Sequence, residues 1–356
     1  MHILMMTRNM NMDGVATCTA SFSNCLVKKG HRVTVASRVG PIRERLEEGV
    51  GFLETDFYTK HPGQAVRTLL RLRRFIREEG GDVIHCHWRI NGIYAQILHW
   101  LTGVPFVWTN HQVPIPSDLC HRLATFYGKR AVAISLEGKA FLEENMRIPP
   151  KDITLINNGI PLNRYERLSA ESRAALREKY GVQPGEKVLV VFSRLVEDKG
   201  HAFLLDALPR MKEQAWKLLL TGDGTAEYRA ELEQKARQMG LEDRVVFTGN
   251  VTPNDIFSIA DVSVLPSIRE GFPISVLEAI AFRVPVVRTK TGGYQDVADC
   301  VDGVDYGDHA ALAAALDRAL ENGSEVQAQV ERAYQTLLEK WDLDRVMDRY
   351  LEVYQS

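Results

Sequence analysis

The sequence predicts an α/β protein built from two doubly wound parallel sheets. Three observations predict it. Short β-rich apolar runs alternate with helix-length segments along the chain, as in βαβ units whose sheets are covered on both faces. About ten such runs exceed what one doubly wound sheet comfortably holds. The 356 residues suit two domains at roughly 150 residues each.

Taken in order, strands are expected at residues 2–6, 31–37, 83–87, 106–110, 131–135 and 154–156, with helices between them at 16–29, 65–79 and 136–144. The second half repeats the scheme, with strands at 187–192, 216–221, 245–248, 262–266 and 285–289. The seam is expected at 163–184, a polar, loop-like stretch around one helix. Two Rossmann-like domains in tandem follow, residues 1–164 and 165–342. Ligands of such sheets sit at the carboxyl ends of strands, so two domains facing each other would enclose one central cleft.

Composition narrows the class. With 45% hydrophobic and 25% charged residues, the chain is not a disordered one. No run of 18 apolar residues suggests a membrane span. Met1-His2-Ile3-Leu4-Met5-Met6 lacks the basic flank and cleavage site of a signal peptide and reads as a first buried strand. Cys18, Cys25, Cys86, Cys120 and Cys300 are scattered and never form CxxC. That fits a reducing cytoplasm and argues against a disulfide framework or zinc cluster. Residues 1–166 carry 21 Lys and Arg against 15 Asp and Glu, whereas residues 167–356 carry 23 against 31. The halves are therefore expected to face different partners.

Three loops could hold an anion. After the first strand, Asp13-Gly14 opens a helix, where glycine permits close backbone approach and free amides face outward. The loop is not GxGxxG, which disfavours a nicotinamide dinucleotide. Gly222-Asp223-Gly224 lies nearer that pattern but lacks its third glycine. After the strand at 187–192, Arg194 and Lys199 precede a helix, and two cations there suit a diphosphate.

The most informative segment runs Glu270-Gly271-Phe272-Pro273-Ile274-Ser275-Val276-Leu277-Glu278. Gly271 and Pro273 prepare a turn, so a helix should start near Ile274. Amides there can bind an anion, and the two carboxylates can accept hydrogen bonds from hydroxyls. Hydroxyls flanking phosphate describe a nucleotide sugar.

These segments, with Asp82-Val83-Ile84-His85-Cys86-His87-Trp88, Thr109-Asn110-His111, Asn157-Asn158-Gly159, Val246-Phe247-Thr248-Gly249 and Thr291-Gly292-Gly293, occur in an order that covers essentially the whole chain. In that order the chain resembles the retaining GT-B glycosyltransferases of glycosyltransferase family 4. The resemblance implies the GT-B fold and transfer of a sugar from a nucleotide diphosphate, UDP favoured and GDP left open. The acceptor would be a hydroxyl of a glycan, a glycolipid or a small molecule, and the anomeric configuration would be retained. Arg194 and Lys199 would hold the diphosphate, and Glu278 the ribose. Glu270, aided by Gly271, Phe272, Pro273 and Ile274, would contact the transferred sugar. Val246, Phe247, Thr248, Asn250 and Val251 would present backbone to the base, with Gly222 and Asp223 alongside. Gly14 would reach the diphosphate or acceptor, and His111 would lie near the reaction centre. Asp13, His87 and Asn158 would line the acceptor side. A last helix at about 343–356 would cross back to the first domain.

The chain departs from the family pattern at Arg283, where glycine is usual, and at Gln295-Asp296. It also departs at Arg288, where a small residue is common, and in a short loop at 302–307. Arg288 would either read sugar or phosphate or pair with Asp296. The expected chemistry needs no metal or other cofactor: cations and amides stabilise the departing diphosphate. Asp342-Leu343-Asp344 spells DxD but is placed to cap a helix, and His85, His87, His111 and His121 lack a completing ligand set.

Residues 65–77 place Ala65, Leu69, Leu72 and Ile76 on one stripe and Arg67, Arg71 and Arg74 on another. This pattern suits either an ordinary packed helix or peripheral contact with the inner face of the cell membrane. Nucleic acid is disfavoured at a pI near 6.6. Two alternatives to a transferase remain, a GT-B sugar-nucleotide epimerase and a non-catalytic nucleotide-sugar or glycan-binding protein.

Overall fold

The structure, a computed structural model, describes residues 1–111 and 114–356. The chain divides into two compact units, Met1–Pro161 with Asp342–Ser356, and Leu162–Trp341.

The first unit holds seven strands: β1 (His2–Asn9), β2 (Arg32–Arg38), β3 (Val50–Glu54), β4 (Val83–Cys86), β5 (Phe106–Asn110), β6 (Ala131–Ala133) and β7 (Ile153–Leu155). They lie in the order β3-β2-β1-β4-β5-β6-β7, and every ladder is parallel. Ile3, Leu4, Met5 and Met6 are all at most 1% exposed. An unbroken apolar run of this kind belongs to a central strand covered on both faces. The strand β3 was not expected. Its Val-Gly-Phe-Leu-Glu sequence is half-exposed at the sheet edge, and Gly51 breaks the pattern. A Cβ at Gly51 would come 2.9 Å from Thr34 Oγ1 on β2.

The second unit holds β8 (Lys187–Phe192), β9 (Trp216–Thr221), β10 (Val245–Gly249), β11 (Val262–Leu265), β12 (Val286–Thr289) and β13 (Asp302–Val304), in the order β10-β9-β8-β11-β12-β13. These ladders are also parallel. The supposed short loop at 302–307 in fact begins with β13, which pairs Asp302 with Val287 and Val304 with Thr289. In each sheet the chain winds outward from one strand and then returns to its other side. The order therefore reverses between β1 and β4 and between β8 and β11.

The terminal helix Leu343–Gln355 belongs to the first unit. Asp342 caps it, accepting from the Asp344 amide at 3.3 Å. Leu343 N donates to the Ile160 carbonyl at 3.0 Å. Val346, Met347, Tyr350, Val353 and Tyr354 form the buried face. The Tyr350 ring lies 5.3 Å from that of Phe22 on the helix Gly14–Lys28. Lys29 Nζ reaches Asp348 at 2.7 Å.

Candidate active site

The loops leaving β8 and β11 carry Arg194, Lys199 and Glu270. Open α/β sheets leave a crevice at the carboxyl ends of such a strand reversal. The two loops are joined backbone to backbone. Ile268 N donates to the Asp198 carbonyl at 2.8 Å. Gly200 lies at φ +68°, and a Cβ there would come 2.0 Å from the Pro266 carbonyl oxygen, so only glycine allows this approach. The junction brings Lys199 Nζ within 2.7 Å of Glu270 Oε1, with side chains only 16% and 9% exposed. Arg194 stands exposed on the same loop.

The helix Ile274–Ala281 begins immediately beyond, and Pro273 at its N-cap offers no side-chain acceptor. Its first-turn amides therefore receive no side-chain cap, and the positive end of the helix dipole lies beside Glu270. Glu278 is buried on the second turn, and Tyr165 OH donates to its Oε1 at 3.2 Å. Tyr165 was not expected at this site, and no local pattern marks it. The two carboxylates thus have different partners, a lysine for Glu270 and a phenol for Glu278.

Arg288 on β12 is wholly buried, which of its two expected roles disfavours direct contact with sugar or phosphate. Its Nε donates to the Thr289 carbonyl at 3.2 Å, and one Nη donates to the carbonyls of Gly292 at 2.8 Å and Thr291 at 3.3 Å. It thereby anchors the turn Thr291-Gly292-Gly293. A Cβ on Gly292 would come 2.0 Å from the Glu270 carbonyl oxygen, and one on Gly293 2.7 Å from that of Gly271. The turn is packed directly against the backbone of the Glu270 loop.

The glycines of Gly222-Asp223-Gly224 allow close backbone packing. A Cβ at Gly222 would meet the Ser193 carbonyl oxygen at 2.3 Å, and one at Gly224 the Leu195 carbonyl oxygen at 2.0 Å. The helix that follows, Ala226–Gln238, is already capped by the Thr225 hydroxyl. Gly222 N donates to the Gly249 carbonyl at 2.8 Å, and Asn250 donates to Asp223. Val246, Phe247 and Thr248 lie on β10 and Asn250 and Val251 follow it; through Gly249 and Asn250 the end of β10 is tied to the 222–224 loop, which packs on the Arg194 loop.

In the first unit the strand reversal places Asp13 and Gly14 after β1 and His87 after β4, with His111 after the neighbouring β5. Asp13 Oδ1 accepts from the Ala16 amide at 2.8 Å and caps the helix Gly14–Lys28. A Cβ at Gly14 would have nothing within 4 Å, so packing does not demand glycine there. Asn158 follows β7. His87 Nδ1 lies 2.9 Å from His111 Nε2. His87 is 2% exposed, and the described contact of its Nδ1 is with His111. Below it, 4.3 Å away ring to ring, sits His85. His85 Nε2 pairs with Thr109 Oγ1 at 2.7 Å and Nδ1 with Tyr354 OH at 2.7 Å, while Thr109 Oγ1 meets Tyr350 OH at 3.2 Å. Burial pushes the His85 imidazole down to about 3 and that of His111 to about 4, and lowers His87 well below the usual value. All three are neutral at pH 7.

Two family models account for most of the chain, Glycosyltransferase Family 4 over residues 12–164 and Glycosyl transferases group 1 over residues 172–336. An uncharacterized glycosyltransferase of Methanocaldococcus jannaschii is 30% identical, across 77% of this chain and 75% of its own. The chain belongs to the family 4 glycosyltransferases. The N-acetyl-alpha-D-glucosaminyl L-malate synthase of Bacillus anthracis is 25% identical over 92% of this chain and 90% of its own. Anabaena Alr3699/HepE, solved in complex with UDP and glucose, has the same fold, with a TM-score of 0.88 at 21% identity over 100% and 99% of the two chains. The two parallel-sheet units of this family 4 glycosyltransferase are thus of the GT-B type. Among its described residues no helix is long and apolar enough to cross a membrane.

Proposed function

We propose that this glycosyltransferase moves a hexosyl group from a UDP-sugar to an acceptor hydroxyl with retention, without a metal, in glycan, glycolipid or small-molecule glycoside synthesis. The observation that carries the reading is the Lys199–Glu270 pair, 2.7 Å apart beside the uncapped start of the helix Ile274–Ala281. It puts a cation and amides, which suit a diphosphate, next to a carboxylate, which suits sugar hydroxyls. Glu278 takes the ribose hydroxyls. In the reaction the bond from the anomeric carbon to the phosphate oxygen breaks, and the acceptor oxygen bonds to that carbon on the same face. The acceptor's proton passes to the departing phosphate. Negative charge grows on the diphosphate, where Arg194, Lys199 and the helix amides stabilise it, a preorganised field that needs no rearrangement during the reaction. Lys199 has three donors, so it can keep Glu270 while it meets phosphate.

A thermal-shift screen of UDP- and GDP-sugars tests the donor. At a hundredfold excess over Kd, a bound donor stabilises by about 2.7 kcal/mol, several degrees in Tm. UDP-sugars should give the shift, and NMR of the effective donor with protein alone should show no epimer. A shift from GDP-sugars only, or an epimer formed without acceptor, overturns the reading.

We further propose that the first unit touches anionic membrane. On the helix Pro62–Glu79, Leu72 and Ile76 face the core, whereas Val66 and Leu70 are more than half exposed beside exposed Arg67, Arg71 and Arg74. Apolar side chains rimmed by guanidinium groups suit an anionic interface. The protein should float with vesicles containing phosphatidylglycerol, and the triple substitution Arg67→Glu, Arg71→Glu, Arg74→Glu should abolish flotation. Equal flotation of both proteins, or flotation with neither, removes the contact.

A further inference from the structure

We infer that His87 is a positioning residue that fixes the tautomer of His111, so that His111 carries its hydrogen on Nδ1 and meets substrate as a hydrogen-bond donor rather than as a base. The inference rests on the reading of this enzyme as a sugar transferase with His111 at the reaction centre.

The argument is one of proton accounting. Both rings are neutral, so a single hydrogen lies between His87 Nδ1 and His111 Nε2, which are 2.9 Å apart. His87 Nε2 is buried and has no hydrogen-bond partner among the described residues. If His111 supplied the shared hydrogen, His87 would carry its own on Nε2, an N–H with no acceptor. If His87 supplies it from Nδ1, Nε2 is left as a bare lone pair. Orphaned N–H groups are the rarer defect in protein interiors, so His87 donates. His111 Nε2 then accepts, and its hydrogen must lie on Nδ1, the one ring nitrogen left for a ligand.

The surroundings hold His87 in place for this task. Its ring lies tilted 4.3 Å, centroid to centroid, from that of His85, which is held on both nitrogens by Thr109 and Tyr354. Phe22 packs 6.2 Å away, centroid to centroid. No carboxylate contacts either ring of the His87–His111 pair among the described residues, so nothing pulls His111 toward the doubly protonated form.

Long-range proton–nitrogen NMR correlations of histidine-labelled protein at pH 7.5, without substrate, report the tautomer directly, with the His87→Asn and His111→Asn variants giving the assignment. Both rings are expected to carry hydrogen on Nδ1. A His111 with hydrogen on Nε2 in the unsubstituted protein overturns the inference whatever the enzyme transfers. The kinetic arm compares His87→Leu with His87→Asn, whose amide nitrogen takes the place of Nδ1. His87→Leu should lower kcat about tenfold, the worth of one hydrogen bond, with donor KM unchanged, and release His111 to the other tautomer. His87→Asn should restore both readouts. An unchanged His111 tautomer in His87→Leu, or no difference in kcat between the two variants, refutes it.

Discussion

Replacing Lys199 with alanine is expected to lower kcat for sugar transfer by about 10²–10³, the usual loss when one preorganised charge-stabilising donor is removed. It should also cost stability, because Glu270 would stay at 9% side-chain exposure without its partner. Removing one member of a mostly buried ion pair leaves an uncompensated charge, which costs several kcal/mol when fully buried and about 2 kcal/mol at this degree of exposure. The Glu270→Gln substitution separates the two effects. The double variant Lys199→Ala, Glu270→Gln should recover most of the lost Tm, since no bare carboxylate remains, yet stay inactive. A Lys199→Ala enzyme with wild-type turnover contradicts the role of Lys199 in holding the diphosphate. A double variant no more stable than Lys199→Ala contradicts the energetic account of the pair.

The second large effect is acid destabilisation. His85 is held down to about 3 and His201 to about 4, in both cases chiefly by burial. Unfolded histidines titrate near 6.5. Between pH 6.5 and 4 the unfolded chain therefore binds protons that the native protein refuses, and stability falls as pH falls. The stability these groups contribute is fully present above about 6.5. At pH 5 each costs about 2 kcal/mol as an upper value. Denaturant titrations at pH 7.5, 6.0 and 5.0 should show the midpoint falling through this window, in the first unit for His85 and in the second for His201. A midpoint independent of pH from 7.5 to 5.0 would show that the buried rings accept protons without penalty.

Much of the architecture could be read before the structure, because central parallel strands carry continuous apolar runs, Ile3 to Met6 in β1 and Val188 to Phe192 in β8. The helix after Pro273 starts at Ile274 because glycine and proline prepare its entry and supply no alternative. The short edge strands Val50–Glu54 and Asp302–Val304 were missed because edge strands bury little and carry glycine or aspartate. The packing role of the glycines at 222 and 224 was not legible, because a pattern of letters does not distinguish a backbone that approaches a ligand from one that approaches another loop. Arg288, Tyr165, Tyr350 and Tyr354 act through partners remote in sequence or through backbone carbonyls. No spacing rule announces such contacts, although the interval from Tyr350 to Tyr354 does put both on one helix face.

The turn at Thr291-Gly292-Gly293 gives the Glu270 loop a rear wall. Glu270 is positioned from behind by a neighbouring strand through the wholly buried Arg288. The placement of this carboxylate is therefore open to change from a strand that does not carry it: a swap of the Arg288 side chain on β12 is expected to loosen the turn on which the Glu270 backbone rests. A mutational library confined to the loop of Glu270 itself would pass over that control point.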